Sequence, residues 1–197
     1  MHLIGTIVKL QVQRASLKVG QSPRRRYDPA PLTDVPSLTL DVGGVNGWSA
    51  AGEQIADVHH AAHPQSKNRG ENGVSVGFTA HYDAMREHFG LHLTDGIAGE
   101  NILVAAEDMF GEDDLRHGLA IETKNGALVR LGEVIIATPC VEFTRYALRF
   151  PDDARPDATV TEALQFLNDG MRGYYAALHG PPARIALGNR VFVCFEE

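Results

Sequence analysis

Few side chains in this chain are suited to chemistry, and Cys140 is the first of them. It ends the run Ile136-Ala137-Thr138-Pro139-Cys140, where an apolar strand pattern meets a Thr suited to an N-cap and a Pro suited to the first helical position. The following VEFTRYALRF carries Phe143, Tyr146, Ala147 and Phe150 at helical spacing, which places Cys140 in the first turn of a helix. There, free backbone N–H groups and the positive end of the helix favour thiolate, the form that ligates soft metals or carries sulfur. Cys194, the other cysteine, alternates with apolar neighbours in VFVCF and reads as structural. Two cysteines exclude a disulfide framework. A second group is Asp57-Val58-His59-His60-Ala61-Ala62-His63, with three imidazoles and a carboxylate in seven residues. The spacing is not that of a helical HExxH zinc site. His59, with Asp57 beside it, is instead expected to hydrogen-bond or transfer a proton, and His60 and His63 to be solvated. Third, Asp95-Gly96-Ile97-Ala98-Gly99-Glu100-Asn101-Ile102 describes a tight turn running into a strand, whose backbone must approach another strand or a ligand. Glu100 and Asn101 either hydrogen-bond a polar heterocycle or brace that turn.

The elements that must position these residues are mostly short strands. An opening strand holds Ile4, Val8 and Leu10, SLTLDV alternates from Ser37 to Val42, and VSVGF spans Val74 to Phe78. TAHYDAMREHFG then reads as an amphipathic helix capped by Thr79 and stopped by Gly90. AIETKNGALVRL is a hairpin, with Asn125-Gly126 expected in a type I′ turn, and EVIIA follows it. Thr159 to Glu162 has the form of a capping box for a second helix, with Val160, Ala163, Leu164 and Leu167 on one face. ARIAL and RVFVCF close the chain around Gly188-Asn189. The expected fold is mainly β with short helices, a barrel decorated by helices, formed as one domain over residues 1–197. Val19 to Pro36, rich in Pro and Arg, is expected to be an exposed loop excursion.

Composition narrows the function. Lys and Arg number 18 against 25 Asp and Glu, a formal net charge of -7, which argues against nucleic-acid binding. The one basic cluster, Arg24-Arg25-Arg26, lies in the excursion and reads as a solvated loop. Hydrophobic residues at 44% and charged residues at 22% are globular values. With neither a membrane-length apolar run nor a signal-peptide pattern, a soluble cytoplasmic protein is expected.

Four segments, in order, resemble the MOSC domain, found at the C-terminus of molybdenum-cofactor sulfurases and in small stand-alone bacterial proteins. They are HYDAMREHFG from His81, DGIAGENILV from Asp95, LGEVIIATPC ending at Cys140, and GMRGYYAAL from Gly170. The resemblance implies a core from about residue 41 to 195. It also implies a β-barrel like the pyruvate kinase insert domain, binding a molybdenum-pterin cofactor (Mo-molybdopterin). Cys140 matches the cysteine that ligates molybdenum or is proposed to carry sulfur. Asp57 and His59 look like the family's G-D-x-H element, with Ala56 for its usual Gly. Gly99, Glu100 and Asn101 are then expected cofactor contacts. Ala137-Thr138 and Asn72-Gly73 stand where basic residues are usual, a deficit that Arg69 or Lys67 would offset. The leading expectation is reduction of N-hydroxylated substrates with Cys140 as molybdenum ligand, fed by a redox partner. The alternative is a sulfur carrier whose Cys140 receives persulfide from a separate cysteine desulfurase, the chain having no candidate pyridoxal-phosphate domain.

Overall fold

In the computed structural model, described for residues 1–22, 24–151 and 154–196 and for the backbone alone at residue 133, the alternating runs become strands and the periodic ones helices. In chain order the first elements are β1 (His2–Gln13), β2 (Lys18–Val19), β3 (Arg26–Tyr27), β4 (Leu32–Asp34), β5 (Ser37–Asp41), β6 (Gly44–Trp48) and β7 (Gln54–Ala56). There follow β8 (Val74–Phe78), α1 (Thr79–Phe89), β9 (Ile102–Ala105), α2 (Glu112–Leu115), β10 (Leu119–Glu122) and β11 (Leu128–Ile136). The last are α3 (Val141–Ala147), α4 (Ala158–Phe166), β12 (Tyr174–His179), β13 (Ala183–Ala186) and β14 (Arg190–Val193). The fold is thus mainly β with short helices, the class that the segment pattern implied.

The strands β14-β10-β11-β12-β8-β9-β1 lie side by side, and β1 pairs again with β14, so these seven close into a barrel. Closure removes the exposed edges that an open sheet would present. β1 achieves it by changing partners along its length. His2 to Thr6 pair with β14, Thr6 to Leu10 with β9, and Gln11 to Gln13 with β4. β8 and β9 pair in parallel, and α1 supplies the crossover between them. A second sheet, β13-β5-β6-β7, and a β2–β3 ribbon complete the framework. Ile7, Leu10, Val76, Phe78, Ile102, Leu131 and Val191 pack in the main core. A smaller cluster gathers Tyr82 and Met85 of α1, Phe143 and Ala147 of α3, and Leu167. Each Ile, Leu, Val, Phe or Met side chain among these contributes roughly 1.5–3 kcal/mol when removed from water.

Several local readings shift. Thr79 is the first residue of α1 rather than its cap, because its hydroxyl is engaged with the backbone of Ala106, 3.0 Å away. The 123–127 turn is not type I′. Only Gly126 has positive φ, and Thr123 N–H bonds Ala127 O, as in a three-residue loop with a glycine bulge. α4 is capped by Asp157, whose carboxylate accepts from Thr159 and Val160 N–H, so the expected box starts two residues late. β1 lies outside the 41–195 span expected for the core, yet its Ile7, Leu10 and Val12 are buried in it. The 19–36 excursion is exposed toward its tip, but Tyr27 turns inward and donates to Ile97 O at 2.6 Å. Tyr27 packs edge-on against Phe143 with centroids 5.1 Å apart, which fastens the excursion to α3.

Gly5 lies where β1 passes from β14 to β9, and a Cβ there would fall 1.8 Å from the Ala105 carbonyl oxygen. Gly5→Ala is expected to lower unfolding stability by about 3 kcal/mol, the upper end of overpacking costs. The check is the denaturant midpoint; no change would show that β1 moves aside freely.

Candidate functional site

At one end of the barrel the chain surrounds a cavity of about 780 Å³. Its walls come from the end of β1, the excursion, residues 58–59 and 67–72, the Gly99-Glu100 turn, the exit of β11 through Cys140, and Arg172 with the start of β12. Of the sequence-derived candidates, Cys140, His59, Gly99, Glu100, Lys67 and Arg69 all line it. Asp57 and Asn101 do not; they stand behind the wall and hold it.

Asp57 has no exposed surface. Its Oδ2 accepts from Gln13 N–H at 2.7 Å and Asn101 Nδ2 at 2.9 Å, while Oδ1 accepts from His59 N–H at 2.8 Å. The same Oδ1 lies 3.0 Å from His59 Nδ1, and since a carboxylate only accepts, that nitrogen carries the proton. Nε2 of His59 is then the free nitrogen of a ring that lines the cavity. Asn101 is fully engaged: Oδ1 accepts from Ser75 N–H and Oγ–H, and Nδ2 also donates to Gln11 O. It braces the turn. His60, expected to be solvated, is buried instead, because Asp41 takes its Nε2–H at 3.1 Å and Ala62 N–H donates to its Nδ1. Among the described residues, no group of three or more His, Cys, Asp or Glu side chains converges as a metal-ligand set.

Cys140 is half-buried and is itself the N-cap of α3, not a first-turn residue, with φ -120° and ψ 152°. The pattern Thr138-Pro139 placed the helix start two residues early. Both the N–H and the hydroxyl of Thr144 donate to the Cys140 carbonyl, at 3.0 and 2.9 Å, which fixes the backbone carrying the thiol. Glu142 lies beside it, held by Lys18 Nζ at 3.5 Å, just before the excursion, and by Arg25 at 3.8 Å within it. Burial pushes the Glu142 carboxyl up, but its own N–H, Lys18 and a hydrogen bond from Cys140 outweigh this and hold it below the usual range.

Another part of the wall is the loop of Lys67 and Arg69. Buried Asn72 shapes it, accepting Arg69 N–H at 2.7 Å and donating to Lys67 O at 3.1 Å. Asn68 ties the same loop to Gly43 O and His59 O. The Asn72 amide thus orders a loop bearing two cations. Deeper in, Glu100 accepts from Tyr82 OH at 2.7 Å, and burial pushes its carboxyl pKa up although Arg172 opposes the shift. Arg172 donates to Ala98 O at 2.9 Å; burial opposes its charge, but Tyr175, Tyr27, Glu100 and Cys140 hold its pKa above the ordinary value. Sequence reasoning gave no role to Arg172, Lys18, Arg25, Tyr27 or Glu142. Arg172 was within the GMRGYYAAL segment, and Arg25 within the arginine triplet; Glu142 carried no signal beyond its nearness to Cys140.

No protein-family model matches the chain, and no curated protein matches it. Solved structures similar to it include the YuaD protein from Bacillus subtilis, at 14% identity and TM-score 0.55, covering 97% of this chain and 94% of that one. A hypothetical protein matches at 13% identity and TM-score 0.53, over 96% of this chain and 68% of its own. YiiM from Geobacillus stearothermophilus matches at 15% identity and TM-score 0.47, over 98% and 75%. The first two show that the fold is shared across nearly the whole chain.

The raised Glu100 carboxyl makes stability depend on pH with a defined sign. Between the ordinary carboxyl value of 4.5 and the higher folded value, the folded state binds more protons than the unfolded one, so stability falls as pH rises through that window. Glu100→Gln removes this dependence. The stability of the variant relative to wild type is therefore expected to improve from pH 4.5 toward neutrality; denaturant titrations at several pH values check it, and a parallel pair of curves would refute it.

Proposed function

We propose that the protein is a MOSC-type molybdenum-cofactor-binding protein that reduces N-hydroxylated substrates, with Cys140 as the protein's ligand to molybdenum. One observation carries this reading. A half-buried thiol, an Asp-oriented imidazole, a buried carboxyl and five cations, Lys18, Arg25, Lys67, Arg69 and Arg172, all line one cavity. Its volume of about 780 Å³ lies within the range of small-molecule sites.

The residues present fit the group. Thiolate suits a sulfur-rich molybdenum centre. Lys67 and Arg69 have no carboxylate ion-pair partner among the described residues, so they are available to hold a terminal phosphate. Glu100 Oε1 and Arg172 Nε are buried without hydrogen-bond partners, which a bound polar ring would supply. The cofactor, when bound, supplies the two-electron chemistry. The chain's own part is to orient and to move protons. His59, its Nδ1–H held by Asp57, presents Nε2 as the group that gives a proton to the departing oxygen, and Asp57 steadies the imidazolium that precedes this transfer. Tyr27 lines the cavity together with Cys140 and packs on Phe143 of α3. No helix among the described residues is long and apolar enough to cross a membrane.

Protein expressed in a cofactor-competent host is expected to contain molybdenum and pterin near stoichiometry by metal analysis and pterin fluorescence, and Cys140→Ala to lose molybdenum. Cyanolysable sulfur on Cys140 without molybdenum would favour the sulfur-carrier role, with a pyridoxal-phosphate cysteine desulfurase as partner. In the loaded protein, His59→Gln is expected to retain molybdenum yet reduce amidoximes about 100-fold more slowly, the usual size of a general acid–base contribution. Unchanged turnover would remove His59 from the proton path.

A further inference from the structure

The β2–β3 ribbon sets two cations in the cavity wall. Lys18 lies in β2, Arg25 directly precedes β3, and both line the cavity that Cys140 lines. The ribbon is fastened at its base. Lys18 pairs with Tyr27, whose hydroxyl donates to Ile97 O at 2.6 Å, and Ser16 Oγ accepts Lys18 N–H at 3.2 Å. Both cations share one carboxylate, Glu142, which also takes a hydrogen bond from Cys140 and so keeps the pair near the thiol. The sharing is loose. Its N···O distances of 3.5 and 3.8 Å exceed the roughly 2.7–2.9 Å of a charge-assisted hydrogen bond, so neither side chain spends a donor on Glu142 at close range. The side chains of Lys18 and Arg25 are 41% and 46% exposed against 16% for Glu142, which is not part of the wall. The wall thus bears two positive charges, and their single counter-charge stands behind it. The wall's own carboxyls, Glu71 and Glu100, come from other segments, and among the described residues neither is paired with Lys18 or Arg25.

From this we infer that Arg25 and Lys18 form a subsite for an anionic group on the substrate, so that the compounds taken best are N-hydroxylated ones carrying a carboxylate. The inference rests on the reading that N-hydroxylated compounds react beside Cys140, and it names which of them the cavity selects. A planar carboxylate matches the guanidinium fork of Arg25, with Lys18 as a second point charge. Its negative charge would balance the one positive charge that Glu142 leaves over. The subsite lies on a different wall segment from Lys67 and Arg69, the cations available to a terminal phosphate.

Benzamidoxime and para-carboxybenzamidoxime, alike except for the carboxylate, are the probes. Calorimetric titration of the purified protein is expected to show the carboxylated probe binding about tenfold tighter, the effect of one hydrogen bond to a charged group. That preference is expected to shrink at high salt, because both cations are partly exposed. Molybdenum-loaded protein is expected to show the same ratio in KM. Arg25→Gln is expected to bring the two affinities close together, and Lys18→Gln to narrow the gap. Thermal melting shows whether each variant folds, and the salt series on wild type reads the subsite without either. Equal affinity of wild type for the two probes, a preference indifferent to salt, or a preference intact in folded Arg25→Gln would each overturn the inference. Loss of molybdenum from Arg25→Gln would do so too, by assigning the guanidinium to the cofactor. Reduction of both probes with equal KM would sink the subsite alone. A salt-sensitive preference without reduction of either probe would sink the proposed function and leave the anion subsite standing.

Discussion

A carboxylate sealed from solvent, Asp57, ties together three segments that are distant in sequence. It joins the end of β1 through Gln13, the Gly99-Glu100-Asn101 turn through the Asn101 amide, and the imidazole of its own loop through His59. Each donor is itself immobile, so the charge is compensated without water. The dependence runs both ways. Removing the carboxylate would strand the Gln13 N–H and the Asn101 amide in a dry interior, and the imidazole would lose the partner that sets its tautomer. The position of His59 in the cavity is therefore a property of the barrel as a whole.

The same logic explains how a chain of net charge -7 lines one cavity with five cations. Cationic side chains are placed by buried neutral or acidic ones. Asn72 orders the loop of Lys67 and Arg69, Ala98 fixes Arg172, and Glu142 draws Lys18 and, from the excursion, Arg25 toward Cys140. The excursion joins the site through that ion cluster and through the Tyr27–Phe143 contact. The positive potential is local, built against the overall charge rather than by it.

Much of this was legible in order and little in partnership. Short strands, both larger helices and the turn at Gly99 follow from periodicity and turn residues, which are local signals. Cap positions were displaced by one or two residues at Thr79, Cys140 and Asp157, because what competes for a hydroxyl or a backbone N–H is decided by tertiary neighbours such as Ala106. Arg25 read as solvent-facing from its arginine-rich surroundings, and only the fold reveals Glu142 across from it. Asn101 was open between ligand contact and brace; four hydrogen bonds to Ser75, Gln11 and Asp57 make it a brace. His60 shows the opposite error, a polar residue in a polar run that Asp41 makes worth burying.

Closure of the barrel by β1 against β14 joins residues 2–6 to residues 190–193. While the chain is being synthesised, β1 therefore waits with one edge unsatisfied until nearly all the rest has emerged, and contacts of such long sequence separation form slowly. Arg172 and Tyr174 arrive late as well, so the floor of the cavity is among the last surfaces completed. A nascent chain would thus have no pocket to load, and encounter with any ligand is deferred until the ring of strands has shut.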